Sequence, residues 1–300
     1  MHIPVMKNEV IEYLSPKANE NFIDCTFGQG GHTKAILEKN GPNGKVLAIE
    51  ADPELYKKFQ NQESSFINNQ LLERLVLVND SYSNLREIVK ENNFGPIHGI
   101  LMDLGMSSWH LKESGKGFTF QKDEPLDMRY NPEANSLTAC EIINSFSEDE
   151  LCAVLKEYGE ERFAREIAKK IIEKRKDKPI RTTLDLVEVI WLAMPRWYKS
   201  GKIHPATKTF QALRIKVNEE IQGLKQGLIK AVDVLEKHGR IVVISFHSLE
   251  DREIKQFFKR GAQINILEVL TKKPIIASEE EVKNNPRARS AKLRAVKKIV

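Results

Sequence analysis

One stretch near the start of the chain has the residue types of a cofactor site, FIDCTFGQGGHT at residues 22–33. Its glycines, Gly28, Gly30 and Gly31, follow a short apolar run and precede polar residues that can begin a helix. Glycine allows the backbone to pass close to a ligand. An acid, Glu50, ends the next apolar run about 20 positions later, where a carboxylate can accept hydrogen bonds from ribose hydroxyls. The pattern predicts a site for a cofactor that contains a nucleoside.

The elements that must position these residues alternate between strand and helix. Strands are predicted at 21–26, 45–50, 75–79 and 97–104, and strands alternating with helices indicate a parallel sheet. Ligands of such sheets bind at the carboxyl ends of the strands. Four acids lie at these ends: Asp24, Glu50, Asp80 and Asp103.

The alternation stops after the fourth strand. From about residue 109 to 205 no central strand is predicted, and apolar residues recur at helical spacing in 151–158, 163–172 and 184–194. We therefore expect an inserted helical domain. One long helix at 210–235, a strand at 240–246, a helix at 249–259 and strands at 264–270 and 292–299 follow, with a charged loop at 278–290.

The composition excludes several classes of protein. The chain has 300 residues with 47 Lys and Arg against 42 Asp and Glu, a net charge of +5 that is compatible with nucleic acid. It has no apolar run of about 18 residues and no signal peptide, so we expect a cytoplasmic protein without a membrane partner. Its 3 cysteines lack metal spacing, and no metal or disulfide is predicted.

Two cofactors suit a strand, a glycine loop, a helix and an acid: a nicotinamide dinucleotide and S-adenosylmethionine (SAM). A dinucleotide loop reads Gly-x-Gly-x-x-Gly/Ala. Counted from Gly28 and Gly30, the third position is Thr33, which fits close helix packing poorly. The loop therefore favours SAM, although glycine-rich loops also occur as simple turns.

Eight motifs carry a resemblance to a known family. They are DCTFGQGGHT at 24–33, MDLGMSS at 102–108, KGFTF at 116–120, PLDMR at 125–129, YGEERFA at 158–164, HPATKTFQALR at 204–214, ISFHSLEDR at 244–252 and NPRARS at 285–290. In this order, over nearly the whole chain, they resemble the bacterial ribosomal RNA small subunit methyltransferase H family.

The resemblance implies a fold, an activity and partners. The fold is a class I, Rossmann-like SAM-dependent methyltransferase sheet over 1–108 and 206–300, with an inserted all-helical substrate-recognition domain over 109–205. The activity is methyl transfer from SAM to N4 of a cytidine in the decoding region of 16S rRNA. The partner is 16S rRNA within the small ribosomal subunit, and a homodimer is left open.

The resemblance also implies cofactor contacts. They fall on Gly28, Gly30, Gly31, His32, Glu50, Tyr82, Asp103 and His110. Glu50 stands where the family usually has Asp, and Tyr82 where it usually has Phe. Trp109-His110 stand where Pro-Gln is common, so His110 would replace the usual Gln.

Catalysis and substrate binding are predicted from topology. Asp103, at the end of strand four, is the candidate to accept the proton of the cytosine amine, although it could instead hold the amino group of SAM or cap a loop. The candidates for contact with the RNA are Lys116, Phe118, Phe120, His204, Thr207, Lys208, Thr209, Gln211, Arg214, Ser245, His247 and Ser248. The two Phe are equally consistent with core positions.

Basic residues outside these motifs have two interpretations. The run Arg162–Lys178 is interleaved with acids and is either a solvated helix face or a contact with RNA backbone. The segment with Arg287 and Arg289 has no acid after Glu281, which favours phosphate contact. Two other functions stay open at this point: a nicotinamide-dependent oxidoreductase, and an RNA-binding ribosome assembly factor without catalysis.

Overall fold

The computed structural model describes residues 4–61, 69–199 and 204–300. By contact density the chain divides into two compact units: Met1–Met106 together with Ile221–Val300, and Ser107–Glu220. The first unit, the sheet unit, is α/β. In the second, the helical unit, the described residues form helices and a single isolated bridge, Pro125 to Thr182.

The sheet of the first unit has strand order β3-β2-β1-β4-β5-β8-β6, with β7 paired to β8. Strands β1 to β5 are parallel, and the strands that pair with β8 are antiparallel to it. The strands are β1 (Phe22–Asp24), β2 (Val46–Glu50), β3 (Leu75–Asn79), β4 (Gly99–Asp103), β5 (Arg240–Ser245), β6 (Leu267–Val269), β7 (Ile275–Ile276) and β8 (Lys292–Lys298). The predicted α/β class is thereby confirmed.

Both faces of this sheet are buried, as expected for parallel strands covered by helices. Ile23 and Leu47 face one apolar core, whereas their neighbours Phe22 and Val46 face the other. Chain order reverses between β1 and β4, which is the switch point where such sheets bind ligands beyond the carboxyl ends of their strands. The glycine loop and Asp103 both lie there.

The helices of the sheet unit cover the two faces of the sheet. They are α1 (Lys7–Leu14), α2 (Gly31–Leu37), α3 (Pro53–Asn61), α4 (Asn69–Leu72), α5 (Leu85–Glu91), α13 (Glu220–Val234), α14 (Ser248–Gln263) and α15 (Glu279–Asn284), with 3-10 turns at Tyr82–Asn84 and Pro286–Ser290. The first residue of α13, Glu220, is counted in the helical unit and the rest of α13 in the sheet unit. None of the helices in the described ranges is long and apolar enough to span a membrane.

The helical unit starts several helices with capping boxes, in which a Ser or Thr side chain and an acid three residues later satisfy each other's backbone N–H groups. Thr138, Ser147 and Thr182 do this for the helices that begin at the residue after each of them. Its helices are α6 (Ser108–Lys112), α7 (Ala139–Ser145), α8 (Glu148–Gly159), α9 (Ala164–Asp177), α10 (Thr183–Ala193), α11 (Arg196–Lys199) and α12 (Ala206–Asn218).

Two sequence-based expectations were wrong. The predicted single helix over 210–235 is broken at Glu219, a left-handed residue with φ 49° that ends α12 and precedes α13. By contact density helix α12 groups with the helical unit, Ser107–Glu220, whereas the predicted insertion spans 109–205.

The predicted charged loop at 278–290 is mostly helical. Ser278 accepts the Glu281 N–H and begins α15, and the 3-10 turn after it buries Ala288. The acids in the first turn of α15 interact favourably with the positive end of the helix dipole and so stabilise the helix.

Candidate active site

The glycine loop after β1 is fastened to the end of β2. Gly28 and Gly30 have φ of +55° and +74°, which L side chains rarely adopt, so only glycine fits without strain. The Gly28 N–H donates to Glu50 Oε2 at 2.9 Å, and the Asp52 N–H donates to Glu50 Oε1 at 2.9 Å. Each carboxylate oxygen keeps a lone pair for a further donor, such as a hydroxyl.

Burial changes the ionisation of Glu50. The removal of water from the carboxyl group raises its pKa from 4.5 to about 8, against the two backbone hydrogen bonds that lower the pKa. Neighbouring Asp52 and Asp24 raise the pKa further. Glu50 thus changes charge close to neutral pH, which an exposed glutamate does not.

Asp24, at the end of β1, ties the loop to helix α2. Its Oδ2 accepts the Thr33 hydroxyl at 2.7 Å and its Oδ1 accepts the Thr26 N–H at 3.1 Å. Burial raises the pKa of Asp24, and nearby His32 together with these bonds lowers it. Thr33, the residue that fits a dinucleotide loop poorly, therefore has a defined structural role.

Asp103, at the end of β4, is held from two sides. Its N–H donates to Thr26 Oγ1 at 2.7 Å, and its Oδ1 accepts the Gly105 N–H at 3.2 Å. A Cβ on Gly105 would lie 2.8 Å from the Phe246 ring, so this turn requires glycine. The hydroxyl of Thr26 links β1 to β4, a role that sequence reasoning missed although Thr26 lies inside the first motif.

His32 lies beside Asp103. Its Nε2 is 3.5 Å from Asp103 Oδ2, and the ring is buried. Neither ring nitrogen has a hydrogen-bond partner among the described residues. Unsatisfied buried polar atoms are rare and point to a ligand or water that completes them.

Tyr82, in the turn after β3, packs against the core on the face that contains α13. A Cβ on Gly227 of that helix would lie 2.6 Å from Tyr82 Cδ2, so the absence of a side chain at Gly227 makes room for the ring. Sequence reasoning missed Gly227 because a glycine inside a helix has no local signal that names its tertiary neighbour.

These residues fit the chemical groups of SAM. Positive-φ glycines admit backbone close to an amino-acid moiety, a buried carboxylate at a strand end suits a ribose diol, and an aromatic ring suits an adenine face. The unsatisfied nitrogens of His32 are polar atoms that such a ligand can complete.

The three RNA-contact candidates at and after the end of β5 differ in burial and in hydrogen bonding. Ser245 is fully buried and donates to the Lys292 carbonyl at 3.3 Å, so the predicted contact with a base edge disagrees with its position. His247 caps α14: its Nδ1 accepts the Glu250 N–H at 3.4 Å, and its Nε2 lies 3.0 Å from Glu250 Oε1. Ser248 is exposed at the first position of α14.

In the helical unit, His110 and Phe118 lie in a packed ring cluster. His110 contacts Trp109, Phe118 and Tyr130 at centroid distances of 4.9–5.2 Å, and Phe118 stacks on Tyr130. Phe118 is only 6% exposed, which disagrees with a base-stacking role. Lys116 is also buried, with Nζ 5.4 Å from the Trp109 ring centroid. The cofactor contact of His110 stays a prediction.

The start of α12 combines exposed and buried candidates. His204 is exposed, stacks on the half-buried Phe120 at 4.7 Å and accepts the Ala206 N–H. Thr207 is half-buried, and Lys208 donates to the Glu160 carbonyl at 2.9 Å.

The remaining α12 candidates face inward or toward protein partners. Thr209 is fully buried and its hydroxyl has no partner among the described residues. Gln211 donates to the Tyr158 carbonyl. Arg214 donates from Nε and Nη2 to Glu220 at 2.8 and 2.9 Å, which disagrees with a phosphate contact.

The chain is similar in sequence to known methyltransferases. Residues 1–299 match the MraW methylase family. A relative from Thermotoga neapolitana, named ribosomal RNA small subunit methyltransferase H, is 46% identical over 99% of this chain and 96% of its own length. A protein of the same name from Thermosipho melanesiensis is 45% identical over 99% and 98%. A solved rRNA methylase from Streptococcus thermophilus aligns with a TM-score of 0.44 and 11% identity, over 98% of this chain and 94% of that chain.

Proposed function

The chain belongs to the MraW methylase family, and from this premise we propose that it methylates N4 of a cytidine in the decoding region of 16S rRNA. The enzyme is a methyltransferase and its cofactor is S-adenosylmethionine. The observation that carries the proposal is Asp103, a carboxylate fixed beside the glycine loop, 3.5 Å from His32. Family membership leaves the nicotinamide alternative without support.

Most of the residues that would hold the cofactor lie in the sheet unit. Glu50 would accept the ribose hydroxyls, the backbone of Gly28 to Gly31 and the ring of His32 would meet the amino-acid part, and Tyr82 would pack on the adenine. When bound, SAM supplies a methyl group on a sulfonium, which is electrophilic without a metal.

The difficulty of the reaction lies with the nucleophile. The exocyclic amine of cytosine is conjugated with its ring, so its lone pair is available only when the nitrogen begins to pyramidalise. A fixed carboxylate promotes this change by accepting a hydrogen bond from the amine. In our proposal Asp103 Oδ2 accepts that bond and takes the proton that the nitrogen loses on methylation.

Hydrogen bonds prepare Asp103 for this role. The Thr26 hydroxyl fixes its backbone and the Gly105 N–H fixes Oδ1, which directs Oδ2 toward His32. Preorganised groups lower a barrier because they need no reorganisation as charge moves.

A cytosine stacked in an RNA helix does not present its amine to a buried methyl group, so the target must be unpaired or flipped out. We assign the holding of the surrounding RNA to the helical unit, Ser107–Glu220. The assembled small subunit and a homodimer are further expectations that this proposal does not require.

The test is transfer of label. The protein is incubated with methyl-labelled SAM and small ribosomal subunits from cells that lack the modification, and the digested rRNA is analysed by mass spectrometry. We expect N4-methylcytidine from one position in the decoding region. Label at another atom or in another RNA would overturn the substrate assignment, and RNA binding without any label would favour the non-catalytic assembly factor.

A further inference from the structure

A cluster of aromatic rings around one arginine lies at the surface of the helical unit. Arg162, Phe163, Trp197 and Tyr198 form this cluster, which we call the Arg162 platform. The Arg162 guanidinium carbon lies 5.7 Å from the Phe163 ring centroid and 5.8 Å from that of Trp197. Phe163 meets Trp197 at 5.8 Å and Tyr198 at 4.9 Å, both edge to face.

The platform reaches the surface although three of its four members are aromatic: Arg162 and Trp197 are exposed, and Phe163 and Tyr198 are half-buried. Trp197 is 61% exposed, more than any other large hydrophobic residue in the described part of the helical unit. A single exposed apolar residue needs no explanation. Here, however, three rings and a planar cation converge on one spot, a composition enriched at binding surfaces.

The platform is also held in place before any ligand arrives. Glu161 is buried, its N–H donates to the Leu155 carbonyl at 3.1 Å, and its Oε1 accepts the Phe163 N–H at 2.9 Å. On the other side, the Tyr198 N–H donates to the Pro195 carbonyl at 3.0 Å. Two turns thus present Phe163 and Trp197 at fixed positions, which reduces the entropy cost of binding.

The chemistry of the platform selects its ligand. Aromatic rings and arginine planes are the groups on which proteins stack unpaired bases, because every base has a π face. Exposed Arg196 adjoins the cluster in sequence, and exposed Arg165 follows it on α9, where its Nη2 is 3.9 Å from Asp149. Cations beside stacking rings suit the phosphates on either side of a base.

We propose that the Arg162 platform stacks an unpaired base of the substrate RNA, with Arg162 contacting the adjoining phosphate. This inference rests on the proposed function and names the surface through which the helical unit holds RNA. Neither Trp197 nor Tyr198 belongs to the motifs that identify the family.

The test measures binding of a fluorescein-labelled single-stranded RNA with the decoding-region sequence. Trp197→Ala should weaken binding about tenfold, because one ring that stacks on a base is lost. Trp197→Phe should keep most of the affinity because it keeps a ring. Arg162→Gln should also lower the slope of log affinity against log salt, by about 0.7 for one single-strand phosphate contact.

Two variants in the sheet unit serve as controls. Ile229→Ala removes an apolar side chain that is 53% exposed, and Arg260→Gln removes an exposed positive charge. Both should leave affinity and salt slope unchanged. Melting temperatures and SAM affinities should match wild type for all variants, because none of the changed residues is buried or in the cofactor site.

The outcomes separate the platform from the function. If wild type binds the RNA and methylates subunits while Trp197→Ala does both equally well, the platform inference is wrong and the proposed function stands. If wild type neither binds the RNA nor methylates subunits, the proposed function is wrong, and the platform inference that rests on it is wrong as well. Normal RNA binding by Trp197→Ala with a raised KM for assembled subunits would assign the platform to a protein partner and overturn base stacking.

Discussion

We predict that the affinity for SAM depends on pH through Glu50. Its carboxyl group is buried and its pKa is raised from 4.5 to about 8, chiefly by loss of water. Ribose hydroxyls donate more strongly to a carboxylate than to a neutral acid. If only the ionised form binds well, about one tenth of the protein is competent at pH 7 and about nine tenths at pH 9, so the apparent Kd should fall about tenfold over this range.

The assay is calorimetric titration with S-adenosylhomocysteine between pH 6 and 9, in buffers with different ionisation enthalpies. At pH 7 nearly one proton should be released per ligand bound, because binding ionises a group that is mostly protonated. The amino group of the ligand titrates in the same region. Glu50→Gln therefore supplies the reference: it cannot ionise, and its titration reports the ligand alone.

The reasoning would be refuted by wild-type and Glu50→Gln curves with the same pH dependence and the same proton release.

The pH dependence of unfolding of the ligand-free protein independently checks the direction of the Glu50 pKa shift. The folded-state pKa lies above the unfolded value of 4.5, so the protonated form is favoured by folding. Wild type should therefore lose stability relative to Glu50→Gln as pH rises from about 5 to 8, by up to about 1.4 kcal/mol per pH unit, and level off above 8.

Three further predictions concern the same site. Asp103→Ala should abolish methyl transfer, a loss of at least about 100-fold in kcat, and near-normal turnover would remove Asp103 from the mechanism. Gly227→Ala should displace Tyr82, whose ring atom lies 2.6 Å from the added Cβ, and raise the Kd for SAM severalfold. Gly223→Ala is the control, because its added Cβ meets open space on the same helix, and its Kd should be unchanged. Equal Kd values for Gly227→Ala and wild type would separate Gly227 from the cofactor site. Thr33→Val removes the hydroxyl that satisfies a buried carboxylate and should cost about 1–3 kcal/mol in urea unfolding; a loss below about 0.5 kcal/mol would contradict that bond.

The sheet could be predicted from sequence because its signals are local. The predicted strand at 75–79 matches β3 residue for residue, and the others differ only at their ends. A strand buried on both faces reads as an uninterrupted apolar run, and the glycine loop and terminal acids mark where each strand ends. The predicted helical spacing over 151–158 likewise falls within α8, which the capping box at Ser147 begins.

The break in the long helix could not be predicted in this way. Glu219 is neither Gly nor Asn, and the apolar spacing continues through it. Side chains hold the turn: Arg214 pairs with Glu220 across it, and Asn218 Nδ2 donates to the carbonyl of distant Met128 at 2.7 Å. A periodic pattern records which face of a helix is apolar but not whether its axis continues. By contrast, the helix after Ser278 could have been predicted, because a Ser three residues before Glu281 is a local N-cap signal. The high charge of the segment instead favoured the interpretation as a loop.

The same distinction applies to the site candidates. The positions of Glu50 and Asp103 at the carboxyl ends of β2 and β4 could be predicted because an acid that ends an apolar run marks a strand end, and their roles toward a ligand stay predictions. Phe118 and Ser245 were predicted to contact RNA, and both are enclosed by neighbours distant in sequence. The presence of a residue in a motif does not say whether its side chain contacts a ligand or packs against the residues that form the site. Ser245, which donates to Lys292 on the antiparallel strand β8, is of the second kind.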